Sequence, residues 1–280
     1  MTMDYGPRIE TRGFSLREWR NYTVPTSMVD QDLLKARWVP FWFGLFKQPV
    51  NRYYRDGHLE LFCFLSMMEY YQGRHVNLFQ LGAGLGNWSM ALAGIVRFKR
   101  TPGPSSYRCL AVEAEPTHFE WLRECFEVNG VEGIAIHGAV CEAVGTRRFM
   151  AGTNPLTHYG QHIVEKGGDG VITVEAWTVD HLRRQFGFDH IHVVQMDVQG
   201  AEALCVRGCR ESISLGLIDF FLIETHNAAV EGELKTLLSP THDLVIELPR
   251  NGYLELAGFS QPFRGAGAGV HLWKRKSLSA

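Results

Sequence analysis

The chain has 280 residues, 45% of them hydrophobic and 21% charged, enough for one large domain with a sizeable core and unlike a disordered or repetitive composition. A formal charge of −2 gives no global electrostatic reason to expect nucleic acid as a partner. Six cysteines without a CxxC pair or a dense framework point to a reducing, cytoplasmic setting rather than a disulfide scaffold. No signal-peptide core opens the sequence, and the longest apolar runs, 38–46 and 217–223, fall short of the ~20 residues that span a bilayer.

Residues 1–75 differ in texture from the rest. Phe14, Trp19, Tyr22, Trp38, Phe41, Trp42, Phe43, Phe46, Tyr53 and Tyr54 make them aromatic, and Pro25, Pro40 and Pro49 interrupt short helical patterns. This stretch reads as a helical extension packed on the core, where it covers a substrate pocket or pairs two subunits in a homodimer. The run 38–46, flanked by Lys35, Arg37 and Lys47, also suits contact with a membrane surface. Leu59, Phe62, Leu65 and Met68 are spaced as one helix face over 58–71, and Gly73 and Asn77 separate that helix from the next element.

From residue 77 strands and helices alternate, the pattern of a mostly parallel sheet in one domain over 76–280. Leu78, Phe79 and Leu81 read as a buried strand, Gly82, Gly84 and Gly86 as a turn, and a helix starts near Trp88. Strand, glycine turn and helix present backbone N–H groups to a nucleotide-sized ligand, although such turns also occur as plain structure. A second strand ends at Glu113 or Glu115, either of which suits a ribose diol or a helix cap. Pro116 opens the next helix, with Phe119, Leu122, Cys125 and Phe126 as its buried stripe and Asn129-Gly130 as its stop.

A third strand covers 134–138, and 145–150 and 171–175 read as an antiparallel pair. The polar loop between that pair holds Asn154, His158, Tyr159, Gln161 and His162, and a loop of this length is functional or mobile. A helix begins at Thr178 with Asp180 as N-cap, and an apolar strand from Ile191 ends at Asp197. A turn at Gly200 leads into a helix through Ile213. The most hydrophobic strand, 218–226, ends in Glu224 and His226, and two terminal strands at 243–248 and 270–274 close the chain.

Four strands thus end in glycine or polar residues, at 82–86, Glu115, Asp197 and 224–226, and ligands of open α/β sheets bind outside the carboxyl ends of strands. His226 suits a general base because imidazole titrates near neutral pH, with Asp197 as the second candidate. A structural strand-end histidine and a helix-capping aspartate are the plainer alternatives. Asp197, Glu224 and His226 also form a donor set for a divalent cation, although no spacing signature marks a metal site.

The spaced motifs together resemble the FkbM-type methyltransferases, a branch of the class I S-adenosylmethionine-dependent enzymes, over roughly residues 75–275. The turn 82–86 resembles the family's first motif, Ala114-Glu-Pro116 its Phe-Glu-Pro signature, and Ala139-Val140 with Gly145-Thr146 its Ala-Val … Gly-Thr segment. Residues 196–202 resemble its Ile-Asp-Val-Glu-Gly-x-Glu motif and 222–224 its final strand. Gln80, Gln195 and Gln199 stand where the family has Asp, Lys and Glu.

The resemblance implies a Rossmann-like α/β sheet, mostly parallel with a C-terminal antiparallel hairpin and helices on both faces. It implies S-adenosyl-L-methionine as cofactor, contacted by Gln80, Gly82, Ala83, Gly84, Gly86, Asn87, Glu115, Ala139 and Asp197, with Glu115 on the ribose. The implied reaction is O-methylation of a sugar, glycan or secondary metabolite, with His226 and Asp197 catalytic and His158, Tyr159, His162 and Glu224 toward the acceptor. Two alternatives stay open. One is a catalytically silent relative that binds a ligand or partner, which Gln80 favours. The other is a nicotinamide dehydrogenase, against which Asn87 stands where GxGxxG would need its third glycine.

Overall fold

A computed structural model describes residues 54–98, 102–151, 160–257, 259, 261–265 and 267–278. Of the expected extension over 1–75, residues 1–53, with the aromatic run and the membrane contact and subunit pairing expected of it, lie outside the described residues, as do His158 and Tyr159.

The first described elements are a short strand β1 (Tyr54–Arg55) and the helix α1 (Asp56–Tyr70). The main sheet begins with β2 (His75–Leu81), β3 (Ser106–Glu113) and β4 (Gly133–His137). They are linked by α2 (Asn87–Phe98) and α3 (Pro116–Asn129). After an excursion into a smaller sheet, α4 (Val179–Gln185) leads to β9 (Ile191–Met196). Two short helices, α5 (Glu202–Arg207) and α6 (Arg210–Ser214), precede β10 (Ile218–Thr225). The helix α7 (Ala228–Leu238), β11 (His242–Leu248) and β14 (Gly269–Arg275) complete it.

The seven strands lie in the order β11-β14-β10-β9-β2-β3-β4. The five from β10 to β4 are mutually parallel, and β14 inserts antiparallel between β10 and β11. The order reverses at β2, so the chain leaves β2 and β9 in opposite directions and opens a crevice at their carboxyl ends.

Both faces of this sheet are covered, so its strands read as continuous apolar runs rather than alternating ones. Their residues still divide between faces with a period of two. In β2 and β10, Leu78, Phe220 and Leu222 pack with α1, α2 and α3 through Leu59, Met67, Leu92, Leu122 and Phe126. Phe79, Phe221 and Ile223 pack on the opposite face against α4, α5 and α7 through Val179, Leu182, Val206 and Leu234. Helix α1, expected in the extension, therefore shares the core of the domain. Its buried stripe is Leu59, Cys63, Phe64, Met67 and Met68, and Phe62 and Leu65 are only partly buried.

The excursion comprises β5 (Ala139–Val140), β6 (Gly145–Met150), β7 (His162–Val164) and β8 (Val171–Trp177), ordered β5-β8-β6-β7. The expected antiparallel pair is β6 with β8. Between β11 and β14, β12 (Tyr253–Leu254) and β13 (Phe263–Arg264) join β1 in a three-stranded ribbon.

Three local expectations change. Asn77 lies inside β2, where its amide donates to His192 Nδ1 and its side chain to the His190 carbonyl. Thr178, not Asp180, caps α4, its Oγ1 accepting from His181 N at 3.0 Å. The Asp180 carboxylate instead receives Glu211 N at 2.8 Å and Ser212 N at 2.9 Å, capping α6 across the fold. The single helix expected through Ile213 is the two pieces α5 and α6.

Candidate active site

The glycine turn follows β2 directly. Gly82 N and Ala83 N both donate to the Val112 carbonyl at 3.0 and 2.9 Å, so the turn is laced to the end of β3. Gly82 has φ +71°, and a Cβ there would lie 1.9 Å from the Asp197 carbonyl oxygen. Only glycine lets the ends of β2 and β9 come this close. Gly86, at φ +82°, has the same need for another reason: its Cβ would meet Leu122 and Phe126 at 2.6 and 2.7 Å, where α3 packs under the turn.

Gln80 is buried and points into this assembly. Its Oε1 accepts from Ser89 N at 3.1 Å and Ser89 Oγ at 2.8 Å, and its Nε2 donates to the Ala83 carbonyl. It clamps the turn to α2, which Asn87 opens, and is not on the wall of the crevice.

The carboxylate on that wall is Glu113. Its Oε2 accepts from Gly84 N at 2.7 Å and its Oε1 from Glu115 N at 2.8 Å. Burial pushes its pKa up, and these two amide bonds only partly counter that. Glu115, which the motif alignment assigns to ribose, accepts from His118 N at 2.6 Å as the N-cap of α3 and does not line the crevice. The reason is geometric. Strand β3 ends at Glu113, so the last in-plane carboxylate is two residues before the one beside Pro116.

The crevice is lined by Gly82 and Gly84, by Val112, Glu113 and His118, by Ala139 and Val140, and by Asp197 with Gln199. Phe149 and Ile163 of the small sheet, with Gln161 just before β7, roof it. His162, between two roof residues, points away: it is exposed, with Nδ1 near the Gly160 carbonyl. Gln199 was not among the expected contacts. It takes a left-handed φ of +54°, its Nε2 donates to Asp197 Oδ1 at 2.7 Å, and this backbone conformation has no single-residue signature in a sequence.

Asp197 continues the ladder of β9, with its amide donating to Leu81 O at 3.0 Å. Behind it stands His226, at the end of β10. His226 Nδ1 donates to Glu202 Oε1 at 2.7 Å, and Nε2 lies 3.4 Å from Asp197 Oδ1 and 3.8 Å from Glu224 Oε1. Burial alone would disfavour imidazolium, but the Glu202 hydrogen bond and the Asp197 charge outweigh it and hold the His226 pKa above its ordinary value.

A further carboxylate, Glu60, comes from α1. It is 6% exposed and hydrogen-bonded to Glu224. Burial first, then the charges of Asp197 and Asp56, raise the Glu60 pKa to about 8. Glu224 is driven well above the carboxylate range by burial and the same charges. Nothing in the 3.6-residue pattern of α1 announced Glu60, because it occupies a position where the helix periodicity asks for an apolar residue.

A seven-stranded sheet with β14 inverted beside β10, and a glycine turn facing an acidic strand end across the switch point, define a Rossmann-like class I methyltransferase. The sequence model of the methyltransferase FkbM domain matches residues 80–255, and the chain belongs to that family. Its cofactor is S-adenosyl-L-methionine.

Among solved structures, the precorrin-6y C5,15-methyltransferase of Geobacter metallireducens GS-15 is similar at 7% identity and TM-score 0.43, over 79% of this chain and 87% of that one. The C-terminal domain of the Rhodobacter capsulatus precorrin-6Y C5,15-methyltransferase gives 11% identity and TM-score 0.42, over 82% and 97%. Streptococcus pneumoniae Sp1610 in complex with S-adenosyl-L-methionine gives 11% and 0.41, over 80% and 74%. No curated protein matches the chain. No helix among the described residues is long and apolar enough to cross a membrane.

The residues fit the cofactor. Gly82 and Gly84 bring bare backbone to the crevice, the Glu113 carboxylate borders it, and Ala139 and Val140 supply a small apolar wall.

Proposed function

We propose that this methyltransferase acts on a hydroxyl of a small molecule or glycan, with a sugar or secondary metabolite as the acceptor class. The observation that carries the reading is the crevice itself, with the glycine turn and Glu113 on one wall and Asp197, backed by His226, on the other.

When bound, S-adenosyl-L-methionine supplies a methyl group on a sulfonium, already activated for transfer. The protein's task is then to hold donor and acceptor in line and exclude water. Glu113 would hold the ribose hydroxyls, Gly82 and Gly84 would border the cofactor, and Phe149 and Ile163 would keep water out from the roof. An acceptor hydroxyl must also lose its proton, because its own pKa lies far above 7. In the ion-free site the proton goes to the corner of Asp197 and His226. Glu202 fixes His226 Nδ1 as the donor side and so leaves Nε2 facing the corner. The six cysteines are all unpaired and buried, which supports a reducing, cytoplasmic setting.

Titration of the full chain with S-adenosylhomocysteine by calorimetry tests the cofactor half. Glu113→Ala is expected to weaken binding at least about tenfold, and Glu115→Ala to leave it within about twofold while lowering stability by about 1 kcal/mol through the lost cap. Equal loss in both variants would sink the assignment of Glu113. Transfer of a labelled methyl group to hydroxylated small molecules and glycans, with RNA as the comparison, tests the acceptor half. Labelling of RNA alone would overturn it.

A further inference from the structure

We infer that the corner behind the crevice is a binding site for a hard divalent cation of the magnesium or manganese type. Asp197, Glu224 and His226 each offer one ligand atom, and these atoms lie within 4.8 Å of one another. They come from the ends of β9 and β10, adjacent parallel strands, so the sheet rather than a flexible loop sets their spacing.

A cluster of acids does not by itself make a site. The second observation is Glu60. It is 94% buried by its 6% exposure, one oxygen is engaged with Glu224, and Oε1 has no hydrogen-bond partner among the described residues. No lysine or arginine of the described residues forms an ion pair with Glu60, Asp197, Glu202 or Glu224. Arg250 acts on His226 only as a nearby like charge. Buried carboxylates are neutralised by a proton, by a basic side chain or by a metal. The Glu60–Glu224 hydrogen bond needs one proton between the two carboxyls, and an ion at the corner would displace it. Among the described residues, the only basic side chain that forms an ion pair with these acids is one imidazole, already shared between Glu202 and Asp197.

The contrast with the fold's other donor cluster is informative. His190, His192 and Asp219 are equally close together, but their atoms are spent. Asp219 receives Arg275 on one oxygen and Tyr71 Oη and His190 on the other, and His192 Nδ1 accepts the Asn77 amide. That cluster is already neutralised and satisfied.

Two carboxylates and one imidazole suit an oxygen-preferring cation, and six-fold coordination would leave about three positions for water or an acceptor's oxygen. Because Asp197 also lines the crevice, those positions adjoin the substrate. The catalytic consequence rests on the proposed function, whereas the site itself does not. With an ion bound, His226 Nε2 is a ligand, and the ion rather than the imidazole takes the acceptor oxygen.

The test uses the full chain, stripped with a chelator and dialysed, titrated with Mn²⁺ by electron paramagnetic resonance and with Mg²⁺ by calorimetry. S-adenosylhomocysteine is titrated in parallel. One ion per chain is expected, with affinity falling at least about tenfold in Glu224→Gln and several-fold in Glu60→Gln, both checked for folding by circular dichroism. The milder Glu60→Gln serves if Glu224→Gln does not fold. Cofactor-product binding with no saturable ion binding overturns the cation site and leaves the methyltransferase reading intact. Ion binding without cofactor-product binding does the reverse. Ion binding unchanged in both variants but lost in His192→Asn would place the ion at the other cluster and overturn the inference.

Discussion

At the scale of single residues, the site depends on a few positions where one atom decides. Gly82→Ala would drive a methyl group into the Asp197 carbonyl at a left-handed φ, so we expect a loss of about 1–3 kcal/mol or more in chemical denaturation and no measurable cofactor-product binding. A variant with wild-type stability would show that β2 and β9 can separate without cost. His226→Gln keeps a polar side chain in the corner but removes imidazole chemistry. Transfer is expected to fall by about 10²-fold or more while cofactor-product affinity stays within about threefold, since His226 is not on the crevice wall. Unchanged turnover would remove His226 from the mechanism.

Not all of this was legible in residue types. The three glycines, Asp197, Glu224 and His226 stood out because each interrupts or ends an apolar run. The choice between Glu113 and Glu115 did not, because both are acids beside a helix-opening proline. What separates them is the residue at which β3 stops pairing with β4, which is a property of two strands.

At the scale of elements, β10 carries much of the core. Phe220 and Leu222 face one helical layer, and Phe221 and Ile223 the other. Leu222→Ala removes a fully buried side chain between β9, β14 and α1, and the expected cost is about 2–5 kcal/mol, read as a shift in the denaturant midpoint at unchanged slope. A cost below about 1 kcal/mol would mean that the layer collapses onto the gap. Strand β10 was the easiest element to read, because a sheet covered on both faces needs an unbroken apolar run. Helix α1 was half legible. Its apolar spacing gave a helix, but the meaning of Glu60 on its buried face depends on the ends of β9 and β10, which meet it only in the fold. The break between α5 and α6 was missed because Gly208 and Cys209 do not forbid a helix, and the Asp180 cap that starts α6 comes from 31 residues earlier in the chain.

At the scale of the whole molecule, the histidines set a pH dependence of stability. His242 and His192 are each pushed down to about 4, by burial first, and burial also lowers His271. All three are neutral in the fold and take up protons on unfolding below pH ~6.5. Their contribution is therefore complete above ~6.5 and is lost as pH falls from there toward 4. The raised pKa values of Glu60, Glu224 and His226 act in the opposite sense, so the histidine contribution is read as a difference: between pH 7 and pH 4.5, His242→Gln should lose less stability than the wild type. An equal acid-side change in the two proteins would contradict the neutral assignment of His242.

The sequence by itself determined the alternation of strands and helices, the glycine turn and the gathering of polar residues at strand ends, because periodicity and turn chemistry are local. It also carried enough spaced motifs to place the chain in its family. Only the tertiary structure decided which acid faces the crevice, that the small sheet roofs it, and that Glu60 joins Asp197, Glu224 and His226 in one half-buried corner. Those outcomes follow from where separate strands end relative to one another and which helix crosses them, distances that no local pattern encodes.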